Sequence, residues 1–596
     1  MGENVTQTKE KKISFISAML IVIGGSIGAG IFFKSGSVLS NSHSSLVLAI
    51  FCWLIASCAV IAMALALVEI SSVKNDNLSL MSWTKVFNSK RIYRASKDFM
   101  TYIYLPLTYF FMPLYVILSL QDGFTALLGK DAVFNTKADW TIWLVISLVM
   151  SIYFLTIPAY WSKVGDIQNI VVLAVKFIPL VFIAVMGFVL AIAGKGGTSE
   201  VHALVQNTDP AHILIKQGEG MQKFGGIGAG LGVFLAVSAI FFAYDGFYVA
   251  AGIQSEMKEP KKTPAAIFLG LAITTLIYVI IAISMSINGG SFFSMKDYMA
   301  NMMGAKAASI LFGIVNICIA IGVLGIINGF SMWAPRFVED LLATGDLPLW
   351  EKFQGKLNAN KPKVGIIYSL VLTIPVVVVF TIIGALAYLP TNPDYAYYVN
   401  AEIDVKNSMQ RLYSFADLMA NWTALFTFGF IAIAIYGGIK NRTTNKVLVT
   451  DKKKYFLPMA WISVIIVFAA LFVTAILPIF DLILVFGFDK EFVAQNIYNT
   501  KVADASKELA SGTSLEAAKL TELKASADAA AQSQFIDLVV GRSMLVVVLV
   551  VFILLSFLPA SIEDVYHAKK YGSVEKYEAY VESKLKAHCD VACATA

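Results

Sequence analysis

The residues best placed to do chemistry in this chain are glycines and charged side chains inside long apolar runs. The stretch Gly24–Gly30 (GGSIGAG) holds four glycines in seven residues, in the middle of an apolar run from Ile13 to Phe33. Glycine disfavours a continuous helix, and main chain that leaves a helix inside a bilayer must be buried in protein or line a cavity. A break here would free main-chain N–H and C=O groups to bind a ligand, although Gly25 and Gly28 also have the spacing of a close helix-packing face.

A second candidate break lies in the apolar run from Phe234 to Gly252, where Asp245 and Gly246 stand near the centre. A carboxylate at that depth costs about 2.5–3.5 kcal/mol on insertion scales, and Asp-Gly is a turn-forming pair. We therefore expect this run to unwind as well. Asp245 could bind a proton or pair with a cationic substrate, or its carboxylate could cap the helix that follows.

Two breaks that face each other would suit a zwitterion. The N–H groups at the start of the second half of the first span would face a carboxylate, helped by the half-helix dipole. Carbonyl groups at the end of the first half of the other span would face an ammonium group. The groups concerned are the N–H groups of Gly28, Ala29 and Gly30 and the carbonyls of Phe241, Phe242 and Ala243. An α-amino acid carries the two complementary charges side by side.

The composition is that of a polytopic membrane protein. Of the 596 residues, 58% are hydrophobic and 14% are charged, and the mean hydropathy is +0.72; about a quarter of the residues of a soluble domain are charged. The net charge of +6 comes from basic loops and not from a Lys/Arg run interleaved with aromatics, so we expect no nucleic-acid partner. Five cysteines form no disulfide framework, and the pair Cys589 and Cys593 lacks a second ligand pair, so we expect no metal site.

Apolar runs of about 20 residues predict twelve membrane spans. They lie near 13–34, 46–70, 99–120, 140–158, 167–193, 229–253, 264–288, 307–332, 364–389, 412–438, 456–487 and 540–561. The N-terminal tail, the even-numbered loops and the C-terminal tail hold 29 of the 46 Lys and Arg residues; the odd-numbered loops hold 16, counting Lys34. Because positive charge favours the cytoplasm, we expect both termini inside, in a multi-pass plasma-membrane protein surrounded by lipid.

The predicted organisation has four parts. A cytoplasmic N-terminal tail covers 1–12, and a transporter core covers 13–440. Spans 11 and 12 occupy 456–561 and are joined by a long extracellular loop, 489–537, which reads as exposed helix. A cytoplasmic C-terminal tail covers 562–596. Spans 1 and 6 are each the first of five, and interrupted helices at equivalent places in two halves are the pattern of an inverted-repeat transporter with a midplane site.

Three motifs resemble the amino acid–polyamine–organocation (APC) superfamily. Gly25–Phe32 resembles the family's span 1 signature, and Phe242–Phe247 followed by Glu256–Pro264 resembles its span 6 and the loop after it. Ala334–Pro348 is similar to the helix after span 8. The resemblance covers roughly 13–440 and implies an all-α fold of twelve transmembrane helices with a LeuT-like 5+5 inverted repeat and broken helices 1 and 6.

The resemblance also implies a function and its residues. Members move an amino acid by alternating access, in symport with a proton or by exchange. By position, Ser26, Ala29 and Gly30 would bind the carboxylate, with Ile27 and Gly28 in the same stretch, and Phe242 would bind the amine through its carbonyl. Phe242 or Phe247 would close over the substrate. The driving force would be a proton gradient or a counter-substrate, with no cofactor, and the resemblance leaves a monomer and a homodimer open.

Lys176 lies about ten residues into span 5. It could snorkel to the cytoplasmic face. In some superfamily members a span 5 lysine instead occupies the place where sodium-coupled relatives bind Na⁺, and here a lysine that gives up its proton could couple transport to protons. Lys176 and Asp245 are therefore the two candidates for proton coupling.

Other functions fit the sequence less well. A polyamine, other amine or nucleobase transporter on the same fold is one alternative, and a non-transporting nutrient sensor is another. A membrane enzyme is disfavoured because the spans hold no nucleophile–His pair and no metal constellation. The chain has no Walker-type G-x4-G-K-[ST] motif, which excludes ATP-driven pumping by this chain alone.

Overall fold

The computed structural model describes most of the chain. The described residues are 14–28, 30–42, 45–74, 78, 80–134, 136, 138–196, 227–248, 258–358, 361–388, 401–486, 499 and 517–595. Every regular element in these residues is helical.

Ten helices in the described ranges are long and apolar enough to cross a membrane. In chain order they are Leu46–Val73 (span 2), Lys90–Leu128 (span 3), Asp139–Tyr160 (span 4), Ser162–Ile192 (span 5), Thr263–Ser286 (span 7), Ala305–Ala343 (span 8), Lys363–Ala387 (span 9), Ser408–Thr444 (span 10), Phe456–Phe480 (span 11) and Val539–Tyr571 (span 12). The two predicted spans outside this group are spans 1 and 6, whose described helices are shorter. The total of twelve stays a prediction.

Span 1 is broken where the glycines are. One helix, Phe15–Ser26 (span 1a), ends before the break, and a second, Gly30–Asn41 (span 1b), begins after it. Ile27 and Gly28 between them are not helical, and Ala29 lies outside the described residues. The expected break in span 1 is therefore present.

Span 6 leaves its helix at the expected place too. Its first half is the helix Ile227–Ala243 (span 6a). A turn follows, in which Gly246 adopts φ +95°, a left-handed conformation that glycine tolerates and most other residues do not. The continuation from residue 249 to 257 lies outside the described residues.

Span 3 forms the centre of the bundle. In its most apolar window 89% of the residues are buried, so it faces protein and not lipid. Small residues let other helices come close to it: a Cβ on Gly123 would lie 3.1 Å from the carbonyl oxygen of Gly313 in span 8, the close backbone approach typical of membrane helices. The helix of span 3 also begins at Lys90, before the predicted start of this span near residue 99.

The remaining helices lie at the ends of the bundle. They are Leu80–Phe87, Phe292–Met303, Trp350–Phe353 and Val574–Thr595. The second half of the long loop between spans 11 and 12 is helical and continuous with span 12, as Ala517–Tyr571. The C-terminal helix, Val574–Thr595, lies within the predicted C-terminal tail, 562–596.

Candidate substrate site

The two breaks meet at the centre of the molecule. A Cβ built on Gly30 would lie 2.7 Å from the Cα of Ala243, so only a residue without a side chain allows spans 1b and 6a to approach this closely. The main-chain groups proposed from the sequence as two half-sites therefore lie side by side. This contact defines the candidate substrate site.

The three carbonyls that are predicted to bind the amine differ in the hydrogen bonds that they accept within the protein. The carbonyl of Phe241 accepts a hydrogen bond from the N–H of Tyr244 (3.1 Å), and that of Phe242 accepts one from the N–H of Asp245 (3.3 Å). Each carbonyl oxygen has a second lone pair. The carbonyl of Ala243 accepts a hydrogen bond from the Tyr278 hydroxyl at 2.9 Å.

On the span 1 side, Ser26 and Gly28 also differ. The Ser26 hydroxyl is buried, in a residue only 1% exposed, and has no hydrogen-bond partner among the described residues. A buried polar group without a partner costs free energy, and a ligand that bonds to this hydroxyl would remove that cost. The Gly28 N–H donates to the hydroxyl of Tyr278 at 3.1 Å.

Lys176 reaches the span 1 break directly. Its Nζ donates to the carbonyls of Gly24 (2.6 Å) and Ile27 (3.1 Å). The ammonium group therefore binds carbonyls at the end of span 1a, where the helix dipole favours a cation. A small pocket adjoins it, lined by Ile27, Gly28, Phe32, Lys176, Pro179, Leu180, Cys318, Ile319 and Gly322.

Asp245 is held by its own turn and by span 3. The Tyr104 hydroxyl donates to one carboxylate oxygen at 3.0 Å, and the N–H of Gly246 donates to the other at 3.0 Å. Tyr104 closes a π-helical turn, Phe99–Tyr104, and such turns are frequent at functional sites. The carboxylate thus ties the span 6 break to span 3.

Phe242 and Phe247, the two aromatic residues that could close over the substrate, pack against different helices. The Phe247 ring packs against Phe428 of span 10, with ring centres 5.2 Å apart. The Phe242 ring packs against Phe111 and Tyr115 of span 3, at 6.0 and 5.7 Å. Phe242 is therefore the ring that lies between span 6a and the centre of the bundle.

An ion pair between a buried lysine and a partly exposed aspartate lies beside Phe242, and the sequence did not reveal it. Lys34, counted among the loop residues, is 0% exposed; it lies one helical turn after Gly30 and pairs with Asp417 of span 10. Its Nζ is 4.7 Å from the centre of the Phe242 ring. The hydroxyl of Tyr115 donates to Asp417 at 2.8 Å. The signal that could have located Lys34 is its position on the same half-helix as Gly30.

Other polar side chains of the spans bridge helices. Asn328 of span 8 donates to the Gly165 carbonyl (2.8 Å) and to Asn169 Oδ1 (2.7 Å) of span 5. The Tyr109 hydroxyl shares a hydrogen bond with Ser331 at 2.7 Å. Among the described residues, no cluster of three or more His, Cys, Asp or Glu side chains could hold a metal ion.

Comparison with known proteins found a matching family model and similar proteins in bacteria. Residues 13–482 match a family model described as amino acid permease. An uncharacterized protein of Mycoplasma pneumoniae is 57% identical over 586 residues, which are 97% of this chain and 98% of that protein. The serine/threonine exchanger SteT of Bacillus subtilis is 25% identical over 358 residues, 58% of this chain and 70% of the exchanger.

Two solved structures are similar at a greater distance. An Eremococcus coleocola manganese transporter is 13% identical, with a TM-score of 0.44 over 93% of this chain and 97% of its own. Mhp1, a nucleobase-cation-symport-1 family transporter, is 13% identical, with a TM-score of 0.40 over 79% of this chain and 94% of its own. Likeness at this level carries no information about a substrate.

Proposed function

This chain belongs to the amino acid permease family and is a multi-pass membrane transporter, not an enzyme, and we propose that it moves amino acids across the plasma membrane by alternating access. The substrate's carboxylate would bind at the span 1 break, at Ser26–Gly30, and its ammonium group at the carbonyls of Phe241–Ala243. Both termini would be cytoplasmic.

The observation that carries this proposal is the meeting of the two breaks. Gly30 contacts Ala243 so closely that a Cβ would collide with the main chain. The N–H end of one half-helix and the carbonyl end of another therefore lie within the reach of one small zwitterion. The buried hydroxyl of Ser26, which has no partner among the described residues, adds a donor on the carboxylate side.

The Phe242 ring and the Lys34–Asp417 pair form the proposed outer barrier. With both termini in the cytoplasm, span 1b runs from the break towards the extracellular surface. Lys34 therefore lies between the substrate site and that surface. Its ion pair joins span 1b to span 10, and its Nζ lies over the Phe242 ring. Entry from outside would require this pair to separate and the ring to move.

Exchange of small hydroxylated amino acids is the first mode to test. Support comes from the likeness to a serine/threonine exchanger, which covers more than half of this chain. Proton symport is the second mode, with Lys176 or Asp245 as the group that takes up the proton. Lys176 supports it by geometry, since loss of its proton would change the two hydrogen bonds that it donates to span 1.

Uptake into proteoliposomes tests the proposal. Radiolabelled serine, threonine and the other common amino acids would be presented with and without a proton gradient, and with and without unlabelled amino acid inside. Exchange predicts uptake only into preloaded vesicles, and symport predicts accumulation driven by the gradient. Failure of every amino acid to accumulate or exchange would overturn the proposal.

The same vesicles separate the alternatives. Uptake of a labelled polyamine or nucleobase in the absence of amino acid uptake would favour another substrate on this fold. Substrate-dependent thermal stabilisation without any flux would favour a sensor. Loss of uptake when a sodium gradient replaces the proton gradient would argue against sodium coupling.

A further inference from the structure

Tyr278 is a buried residue of span 7 whose hydroxyl contacts both breaks at once. The residue is 0% exposed. Its hydroxyl lies 2.9 Å from the carbonyl oxygen of Ser26 in span 1 and 2.9 Å from that of Ala243 in span 6, and it accepts the N–H of Gly28 at 3.1 Å. All three partners are main-chain groups at or beside a helix end.

The hydroxyl cannot satisfy both carbonyls at the same time. A tyrosine hydroxyl has one proton to donate, and the two carbonyls compete for it at equal distance. The oxygen meanwhile accepts the Gly28 N–H. At any moment either Ser26 or Ala243 therefore keeps a carbonyl oxygen that receives nothing from Tyr278.

We propose that Tyr278 is a positioning residue that links the two half-sites. When substrate binds, its O–H bond turns, so that the hydroxyl donates to the carbonyl of one break and no longer to that of the other. This inference rests on the proposed function. With the site empty, the hydroxyl donates to Ala243. When the substrate's ammonium group donates to the Ala243 carbonyl, the tyrosine proton turns to the Ser26 carbonyl. No covalent bond changes, and each carbonyl has a donor in the substrate-bound state.

The surroundings of Tyr278 allow this rotation and hold the ring still. The ring lies edge-on to Trp53 (5.6 Å between ring centres) and to Tyr244 (5.2 Å), so the side chain is packed while its hydroxyl hydrogen can turn about the C–O bond. The Ser26 hydroxyl, which has no partner in the part of the chain that the structure describes, lies on the same residue as one of the competing carbonyls. The span 1 break therefore has hydrogen-bonding capacity left for a ligand.

Tyr244 provides a matched control. It is equally buried and packs against Tyr278, but its hydroxyl bonds to side chains, Ser57 of span 2 at 2.8 Å and Thr275 of span 7 at 2.9 Å. Tyr244→Phe removes a hydroxyl of the same kind that holds the span 6 turn to spans 2 and 7, but it removes no bond to the span 1 break and no link between the two breaks. Tyr278→Phe removes the link between the two breaks and keeps the ring.

The first test measures backbone hydrogen–deuterium exchange of the purified full-length protein. In the wild type the segment containing Gly28 should exchange slowly although it is not helical, because its N–H is bonded to Tyr278. Fast exchange there would overturn the proposal even if a variant fails to fold. In Tyr278→Phe the segments around Ser26–Gly28 and Ala243–Gly246 should both exchange at least tenfold faster, whereas in Tyr244→Phe the Ser26–Gly28 segment should exchange at the wild-type rate.

The second test measures transport of whichever common amino acid the wild-type protein carries fastest. Tyr278→Phe should raise KM at least tenfold, and by more than Tyr244→Phe does. Equal effects of the two variants on exchange and on KM would show that Tyr278 acts only through packing. The exchange experiment needs no transported substrate, so absence of amino acid uptake would overturn the proposed function and leave the link between the breaks to be judged separately.

Discussion

At the scale of single residues, Lys34 and Asp417 carry the clearest energetic asymmetry. The Lys34 side chain is fully buried, whereas that of Asp417 is 34% exposed and also accepts hydrogen bonds from Tyr115 and Asn421. A buried charge that loses its partner is strongly destabilising, whereas a partly solvated one is less so. The two partners of this pair are therefore not equivalent.

We expect Asp417→Asn to destabilise the protein more than Lys34→Met. The first change leaves a buried ammonium group without a counterion, at a cost of about 3–5 kcal/mol. The second leaves a carboxylate that retains water and two donors. Thermal unfolding of detergent-purified protein measures the difference, and the double variant should be more stable than Asp417→Asn alone. An equal loss in the two single variants would contradict this account.

Lys176 gives a second prediction at this scale. In Lys176→Met, the ratio of gradient-driven uptake to uptake without a gradient should fall to about one, because the proposed proton-carrying ammonium group is gone. Lys163→Met is the matched control, since Lys163 lies exposed at the start of the same helix and should keep the wild-type ratio. Asp245→Asn tests the other candidate in the same assay. An unchanged ratio in both Lys176→Met and Asp245→Asn would remove both residues from proton coupling.

At the scale of elements, the broken helices depend on how closely they approach each other. The contact between Gly30 and Ala243 has no room for a methyl group, and the rigid main chain of span 6 cannot move aside as a side chain would. The break is therefore maintained by packing between spans as well as by the local preference of glycine.

Gly30→Ala should separate the two breaks. Overpacking of this kind costs about 1–3 kcal/mol, and we expect amino acid uptake to fall at least tenfold because the half-sites no longer meet. Gly36→Ala lies on the same half-helix, where a Cβ would make an ordinary contact with the Gly290 carbonyl at 3.6 Å, and should retain uptake. Similar uptake by the two variants would show that the close approach is not required.

At the scale of the whole molecule, the C-terminal segment fastens the ends of several spans. Arg94, near the start of span 3, donates to the Ala560 carbonyl at 2.7 Å and to Glu563 at 3.2 Å, and pairs with Asp564. The C-terminal helix continues the contact, because the indole N–H of Trp350 donates to the hydroxyl of Tyr577 at 3.2 Å. Span 12 and the C-terminal helix thus hold span 3 and the segment after span 8.

Arg94→Ala should weaken the attachment of the C-terminal segment to span 3. Loss of charge-assisted hydrogen bonds to Arg94 costs about 1–3 kcal/mol, and limited proteolysis should cleave near Gly572 more rapidly. Arg91→Ala, at an exposed position one turn earlier, should leave both the melting temperature and the cleavage rate close to wild type. Identical cleavage of the two variants would show that Arg94 does not hold the C-terminal segment.

The sequence alone predicted the membrane character, the family and the positions of both breaks. Those features depend on local properties: the length of apolar runs, the conformational freedom of Gly24–Gly30 and the turn preference of Asp245-Gly246. The sequence also showed that Lys176 lies deep in span 5. In the structure this residue bonds to the carbonyls of span 1. Its role in coupling stays a prediction.

Only the tertiary structure revealed Tyr278 and the Lys34–Asp417 pair. Tyr278 bonds to Ser26 across 252 residues, and Lys34 pairs with Asp417 across 383. In the sequence, Tyr278 is one more aromatic residue of an apolar helix, and Lys34 looks like the basic end of a span. Which helix faces are brought together is decided by packing between spans distant in the chain, and no local pattern of residues encodes that.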